Sequence, residues 1–272
     1  MTRRHLAFAC EGSALAATLD EAPRRTGLLI VSGGNEVRSG AWSGQALLAA
    51  EIAAAGFPVL RFDRRGVGDS DGPNGGFRTS GPDLAAAIAA FRATGVSRVV
   101  GFGNCDAASA LMLAGGSGFD ALVLGNPWTF DEVGDVGGED ATPMPPAALR
   151  AHYLRRLTDP RALWRLMTGK VGFGGLASGL AGASRATTRS VLATDMERAL
   201  AGFSGEVVFV VAGRDRTGQA FLANWNRADH RVRICAGATH SFVEPEARAW
   251  LRDEVLNILN AAWYLDVHAE SR

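Results

Sequence analysis

The chain has 272 residues, enough for one large domain or for one domain carrying an insertion. Its 28 lysines and arginines balance 28 aspartates and glutamates, so no overall field attracts nucleic acid or an anionic membrane, and neither partner is expected. Three widely separated cysteines form neither a disulfide framework nor a metal-ligand cluster, which points to a reducing, cytoplasmic setting and a protein without a metal.

The N-terminal stretch "MTRRHLAFACEGSALAATLDEA" is broken by Glu11-Gly12 and then turns acidic. It reads as a hairpin, "HLAFAC" against "ALAATL", rather than as a signal peptide or a spanning helix, and no membrane insertion is expected. "GLLIVSGG" follows as a buried strand ending on glycines, and "SGQALLAAEIAAAGF" carries helical spacing that stops at Gly56. "PVLRFD" is the next strand, followed by the loop "RRGVGDSDGPNGG" and a helix over 83–94. Then "VSRVVGFGN" reads as a strand, "DAASALMLAGG" as a helix and "ALVLGNP" as a strand. Such alternation predicts an α/β fold, a doubly wound, mostly parallel sheet with helices on both faces.

From Trp128 to about Ser190 the rhythm breaks into an acidic, Gly-rich loop, prolines, and predicted helices over 146–157 and 160–168. It resumes with a helix over 188–202, the strand "EVVFVVAG", a helix over 218–227, the strand "VRICAG" and a helix over 245–260. Residues 1–127 and 188–272 therefore read as one core, with 128–187 inserted as a helical cap.

In open parallel sheets, binding groups collect at the carboxyl ends of the strands. Cys105 lies at such an end, in "GFGNCDAASAL", where a strand becomes a helix within one residue. Gly103, Ala107 and Ala108 supply the small neighbours that so tight a turn needs. Helix N-terminal amides aimed at the sulfur favour thiolate over thiol, so a lowered pKa is expected. A thiol nucleophile needs a proton acceptor and a group to orient it. His240 follows the last strand, and Asp215 follows the strand before it. The chain order nucleophile, acid, histidine is the one found on hydrolase sheets of this kind. Glu244 and Asp63 compete with Asp215 for the acid's place. For a developing oxyanion, the expected donors are the Asp106 N–H and that of Gly34 or Asn35.

At these residues the chain resembles the α/β-hydrolase family over essentially its whole length. The motifs are "SGGN", "LRFDRRGVGDSDG", "GNCDA", "GRDRTG" and "GATHSF". Through "NCDAAS", "SGGNEVRSG" and "GNPW" it is similar to the hydrolases associated with exosortase A and exopolysaccharide gene clusters. The resemblance implies a Cys105–His240–Asp215 triad, no cofactor, and hydrolysis of a small-molecule ester, thioester or related acyl bond. Cysteine replaces the usual serine, as in dienelactone hydrolases, and Ala107 stands where a glycine is usual.

Other residues keep two readings. Glu36 and Arg38 either face solvent or line the pocket with Asn104, where Arg38 would grip a substrate carboxylate. Trp128, Phe130, Tyr153, Trp164 and Phe173 form either a lid over an apolar pocket or the insertion's own core. Cys10 and Cys235 read as buried strand residues. His5, His152, His230 and His268 read as surface or local structure, and so do the pairs Arg64-Arg65 and Arg155-Arg156. In "RRGVGDSDG", Asp69 and Ser70 are expected to make local hydrogen bonds rather than to bind a nucleotide. Two further functions fit the same sequence: acyl transfer through the same triad, and a non-catalytic binding or scaffold role.

Overall fold

A computed structural model describes residues 2–131, 190–226 and 228–269. The chain opens with the expected hairpin, β1 (Arg3–Cys10) against β2 (Ser13–Asp20), turning through Glu11 and Gly12, both at positive φ. β3 (Thr26–Val31), α1 (Gly44–Ala54), β4 (Val59–Phe62) and α2 (Gly81–Arg92) follow. Next come β5 (Arg98–Asn104), α3 (Asp106–Leu113) and β6 (Ala121–Gly125). From residue 190 on stand α4 (Val191–Leu200), β7 (Glu206–Ala212), α5 (Arg216–Asn224), β8 (Val232–Cys235) and α6 (Pro245–Ala269). The strands form one eight-stranded sheet in the order β1-β2-β4-β3-β5-β6-β7-β8, antiparallel at β1 and β2 and parallel from β4 through β8.

The sheet has a core on each face. In β3, Leu29 and Val31 join the core beneath α2, α3 and α4, while Leu28 and Ile30 join the one beneath α1 and α6. All four side chains are fully buried, each worth about 1.5–3 kcal/mol of burial, which is why this strand reads as a continuous apolar run. α6 runs beyond the expected 260 because Leu259 and Ala262 still pack onto the second core.

The predicted helices over 146–157 and 160–168 lie outside the described residues, as do His152, Tyr153, Arg155, Arg156, Trp164, Phe173 and the His268 side chain. The described residues on either side of 132–189 meet. Asp131 Oδ1 accepts hydrogen bonds from Ser190 Oγ and Leu192 N–H, each at 2.9 Å, so the chain leaves and re-enters the core at one point. Ser190 also caps α4 by accepting from Ala193 N–H.

Arg64 and Arg65 are not surface residues. Arg64 is buried, and Arg65 pairs with Asp83 and Glu11. The carboxylate partners of Arg65 sit on the hairpin and on α2, so Arg65 ties the hairpin to the body of the domain, while the partner of Arg64 is Asp106 on α3.

At the β5–α3 junction, a Cβ on Gly103 would lie 2.8 Å from Ala107 C and 2.9 Å from Ala108 N. Both are backbone atoms and cannot yield. Gly103→Ala is therefore expected to cost about 1–3 kcal/mol, seen as a lower urea midpoint, with an Ala108→Gly control free of this clash.

Candidate active site

Cys105 is the N-cap of α3, at φ 61° and ψ −125°. This region is costly for a residue with a Cβ, by about 1–3 kcal/mol, and persists only where neighbours enforce it. Three hydrogen bonds do so: Cys105 N–H to Gly125 O at 2.9 Å, and Ser109 N–H and Trp128 N–H to Cys105 O at 3.3 Å each. The turn leaves the thiol at the end of the sheet, where it hydrogen-bonds His240.

Asp215 is the N-cap of α5, and its Oδ2 accepts Gly218 N–H at 2.8 Å. The same oxygen lies 3.0 Å from His240 Nδ1. A residue type chosen for helix capping thus also holds the ring. The competing acids are engaged elsewhere. Glu244 accepts Thr239 N–H at 3.2 Å, and Asp63 is buried against Arg38. The structure therefore joins Cys105, His240 and Asp215 in one hydrogen-bonded line.

The expected low thiol pKa does not appear. Burial pushes the Cys105 thiol up, and this outweighs the hydrogen bonds from His240 and Asp106 N–H, which pull it down. For His240, burial acts downward, but the hydrogen bonds to Asp215 and Cys105 dominate and raise it to about 11. A ring raised this far holds its proton firmly at neutral pH, so a charge on the Cys105 sulfur would be paired with an imidazolium rather than left isolated in the buried site.

The remaining expected residues fall into two groups. Around the thiol, Asp106 N–H bonds the Cys105 sulfur, and Gly34 N–H donates to Asp106 Oδ1 at 2.7 Å. Trp128 packs against Phe130 in a tilted pair, 4.6 Å between ring centroids, and its indole N–H bonds Phe130 O at 3.2 Å. Glu36 is exposed near His240 and Asp106, its carboxyl raised by partial burial. Two residues point elsewhere. Asn35 is exposed, its side-chain oxygen accepting from Asn74 at 2.9 Å. Arg38 is no carboxylate clamp for a ligand. It pairs with Asp63, sits 2.8 Å from Asp69, and donates to Thr18 Oγ1 at 3.1 Å, so its guanidinium is spent inside the protein.

One residue has no role in the sequence reading. Asn126, fully buried at φ 40°, donates to Asn104 Oδ1 at 2.9 Å and to His240 O at 3.1 Å, and accepts Ala212 N–H at 2.7 Å. Asn104 Nδ2 donates to the same His240 carbonyl at 3.1 Å, so Asn104 braces the histidine loop. The only sequence signal for Asn126 is its type: Asn at a strand end tolerates a left-handed backbone.

Among the described residues, the other histidines and cysteines stay apart from this line. His5 Nδ1 is 3.4 Å from Thr18 Oγ1, His230 is exposed, Cys10 contacts Asp83, and Cys235 lies in β8. Asp69 and Ser70 make the expected local bonds, Asp69 N–H to Asp63 at 3.0 Å and Ser70 Oγ to Asp63 O at 2.7 Å. Among the described residues, no cluster of His, Cys, Asp and Glu is arranged to hold a metal, and no helix is long and apolar enough to cross a membrane.

The family described as "Alpha/beta hydrolase family" matches residues 28–254. No curated protein matches the chain. Among solved structures, the alpha/beta hydrolase GrgF from Penicillium sp. sh18 is similar at a TM-score of 0.63 and 16% identity, over 97% of this chain and all 100% of that one. The proline iminopeptidase of Mycobacterium smegmatis gives 0.57 and 17%, over 95% of this chain and 100% of that one. The Pyrococcus furiosus esterase Pf2001 gives 0.59 and 14%, over 96% and 91%. At these identities the likeness is one of fold.

Removing the carboxylate tests the His240 environment directly. In Asp215→Asn, the imidazole pKa is expected to fall from about 11 toward its ordinary 6.5, followed by NMR titration of the ring. A raised pKa stabilises the fold fully below about pH 6.5 and loses that contribution as pH climbs toward 11. The variant's stability deficit should therefore shrink with rising pH.

Proposed function

Because this chain belongs to the alpha/beta hydrolase family, its residues 28–254 matching that family, we propose that it is a thiol-dependent acyl hydrolase with Cys105 as nucleophile, His240 as base and Asp215 as the orienting acid. The observation that carries this reading is the unbroken hydrogen-bonded line from Asp215 through His240 to a thiol held on a strained elbow. The sulfur attacks the acyl carbon as the thiolate of a Cys105–His240 pair, the proton resting on His240. The carbonyl pair moves onto oxygen and returns as the leaving group departs with that proton. A thioester remains. Water then attacks it, giving a proton to His240, and the acid leaves as the Cys105–His240 pair is restored.

An apolar groove beside the elbow supports an acyl substrate. Trp42, Leu47, Leu48, Phe102, Phe242 and Val243 line it, with Asn104 and Ser241, the neighbours of the nucleophile and the base, at its edge. Trp42 is 85% exposed, and it and Ser43 are both held at positive φ, a solvent-facing indole kept in place at a cost. Charge narrows the class further. Glu36 and Glu51 line the groove and Asp106 flanks the elbow, while the lining cation Arg248 is paired with Glu51 and Arg38 is occupied internally, which favours a neutral acyl chain over a carboxylated one. The insertion springs from the same rim, since Trp128 N–H bonds Cys105 O, and this supports residues 128–187 as a cap. The Asn104-Cys105-Asp106 elbow supports a place among the exosortase A-associated hydrolases, and with it acyl groups of exopolysaccharide metabolism.

Turnover of p-nitrophenyl esters is expected to be abolished in Cys105→Ala and His240→Ala with folding intact by circular dichroism. Residual activity in both variants would overturn the assignment. The wild type should prefer butyryl and hexanoyl esters to a succinyl monoester by at least about tenfold, the worth of one unfavourable charge contact. Product analysis in the presence of sugar alcohols and amines distinguishes hydrolysis from transfer.

A further inference from the structure

We propose that Asp106 is a gate on the oxyanion site, its carboxylate seated on Gly34 N–H in the empty enzyme and moving onto Arg64 when an acyl group enters. This rests on the acyl-hydrolase reading above. An acyl carbonyl attacked by Cys105 needs two N–H donors at the elbow, and those within its reach are Asp106 N–H, next to the nucleophile, and Gly34 N–H, on the loop held against Asp106. Both are engaged. Asp106 N–H bonds the thiol, and Gly34 N–H bonds Asp106 Oδ1 at 2.7 Å. A carboxylate is the worst occupant for this place, because the negative charge developing on substrate oxygen would meet one already there. Catalysis therefore requires the carboxylate to leave.

The structure provides a second seat for it. Arg64 is buried, and its guanidinium is pinned by Nη1 to Ser80 Oγ at 3.1 Å and by Nη2 to Gly34 O at 2.6 Å. Nη2 already reaches Asp106 Oδ2 at 3.5 Å, a long ion pair that a small side-chain rotation shortens. Closing it releases Gly34 N–H without exposing an uncompensated charge. The space for the carboxylate is built in: a Cβ on Gly33 would stand 2.6 Å from Asp106 Oδ1. Gly34 itself is at φ 53°, which turns its N–H toward the elbow at no steric cost. One arginine thus holds both halves of the gate, the Gly34 carbonyl and the Asp106 carboxylate.

The test uses the full chain as wild type, Asp106→Ala, Arg64→Gln and the double variant. The p-nitrophenol burst from p-nitrophenyl acetate is followed by stopped flow, and iodoacetamide labelling of Cys105 by mass spectrometry confirms an intact thiol. Asp106→Ala should acylate at least about tenfold faster than wild type, the worth of one charge-assisted hydrogen bond no longer to be displaced. Arg64→Gln should slow acylation while Asp106 is present and have little effect in the Asp106→Ala background. Equal or slower acylation in Asp106→Ala, or the same loss from Arg64→Gln in both backgrounds, overturns the gate and leaves the hydrolase reading standing. If Arg64→Gln does not fold, the Asp106→Ala rate decides alone. No burst from any variant whose Cys105 still alkylates overturns the hydrolase reading and the gate together.

Discussion

The site depends on one backbone conformation, that of Cys105 at φ 61°. An ordinary dihedral there would carry β5 onward or start α3 earlier, and the sulfur would face the core. The positive φ lets strand and helix meet at a single residue, which projects the thiol and turns the Asp106 amide toward it. The strain is met by hydrogen bonds to both backbone groups of Cys105 and by the empty volume at Gly103. Reactivity at this position is thus a property of the fold rather than of the cysteine.

A nucleophile fixed this firmly is useful only if its base is fixed to the same frame, and His240 lies on a loop. Asn126 solves this. Its amide has two donor hydrogens and one acceptor oxygen, and all are spent: on Asn104, on the His240 carbonyl, and on Ala212 N–H. Those partners belong to the end of β5, the histidine loop and the end of β7. Three chain segments distant in sequence become one unit, and a fourth is added where Asp215 caps α5 and grips the ring. Aspartate at 126 would lack the donors and leucine would lack all three contacts, leaving buried polar groups unpaired.

What was legible in the sequence follows from where the physics is local. Strand periodicity, the hairpin turn at Glu11-Gly12 and the elbow's small residues are short-range features, and the parallel sheet follows from them. The core-facing runs of β3 and β5 could be read because burial on both faces leaves only apolar residues. Long-range polar pairing was not legible. Arg38 and Arg64 look like exposed cations in a string of letters, since nothing local reveals that Asp63 or Gly34 O will be delivered to them. The thiol's pKa was misjudged for a related reason. Helix amides and a nearby histidine can be inferred from spacing, whereas the desolvation that outweighs them is set by the whole surrounding fold.

The choice of sulfur fits this desolvated, acid-flanked site. Burial and the Asp106 carboxylate both oppose a resting thiolate, while His240, raised by Asp215 and by Cys105 itself, holds the proton that would pair with one. A serine hydroxyl, far less acidic, would gain little from such a base without an open oxyanion site. A thiol needs less help, because it ionises more readily and attacks well once it does. It is also the group most exposed to oxidation when left as a free anion. Burial and pairing with the His240 imidazolium shield the sulfur at rest and keep its proton close at hand for the leaving group. The same carboxylate that closes the oxyanion donors opposes negative charge on the sulfur, so substrate entry relieves both constraints in one motion.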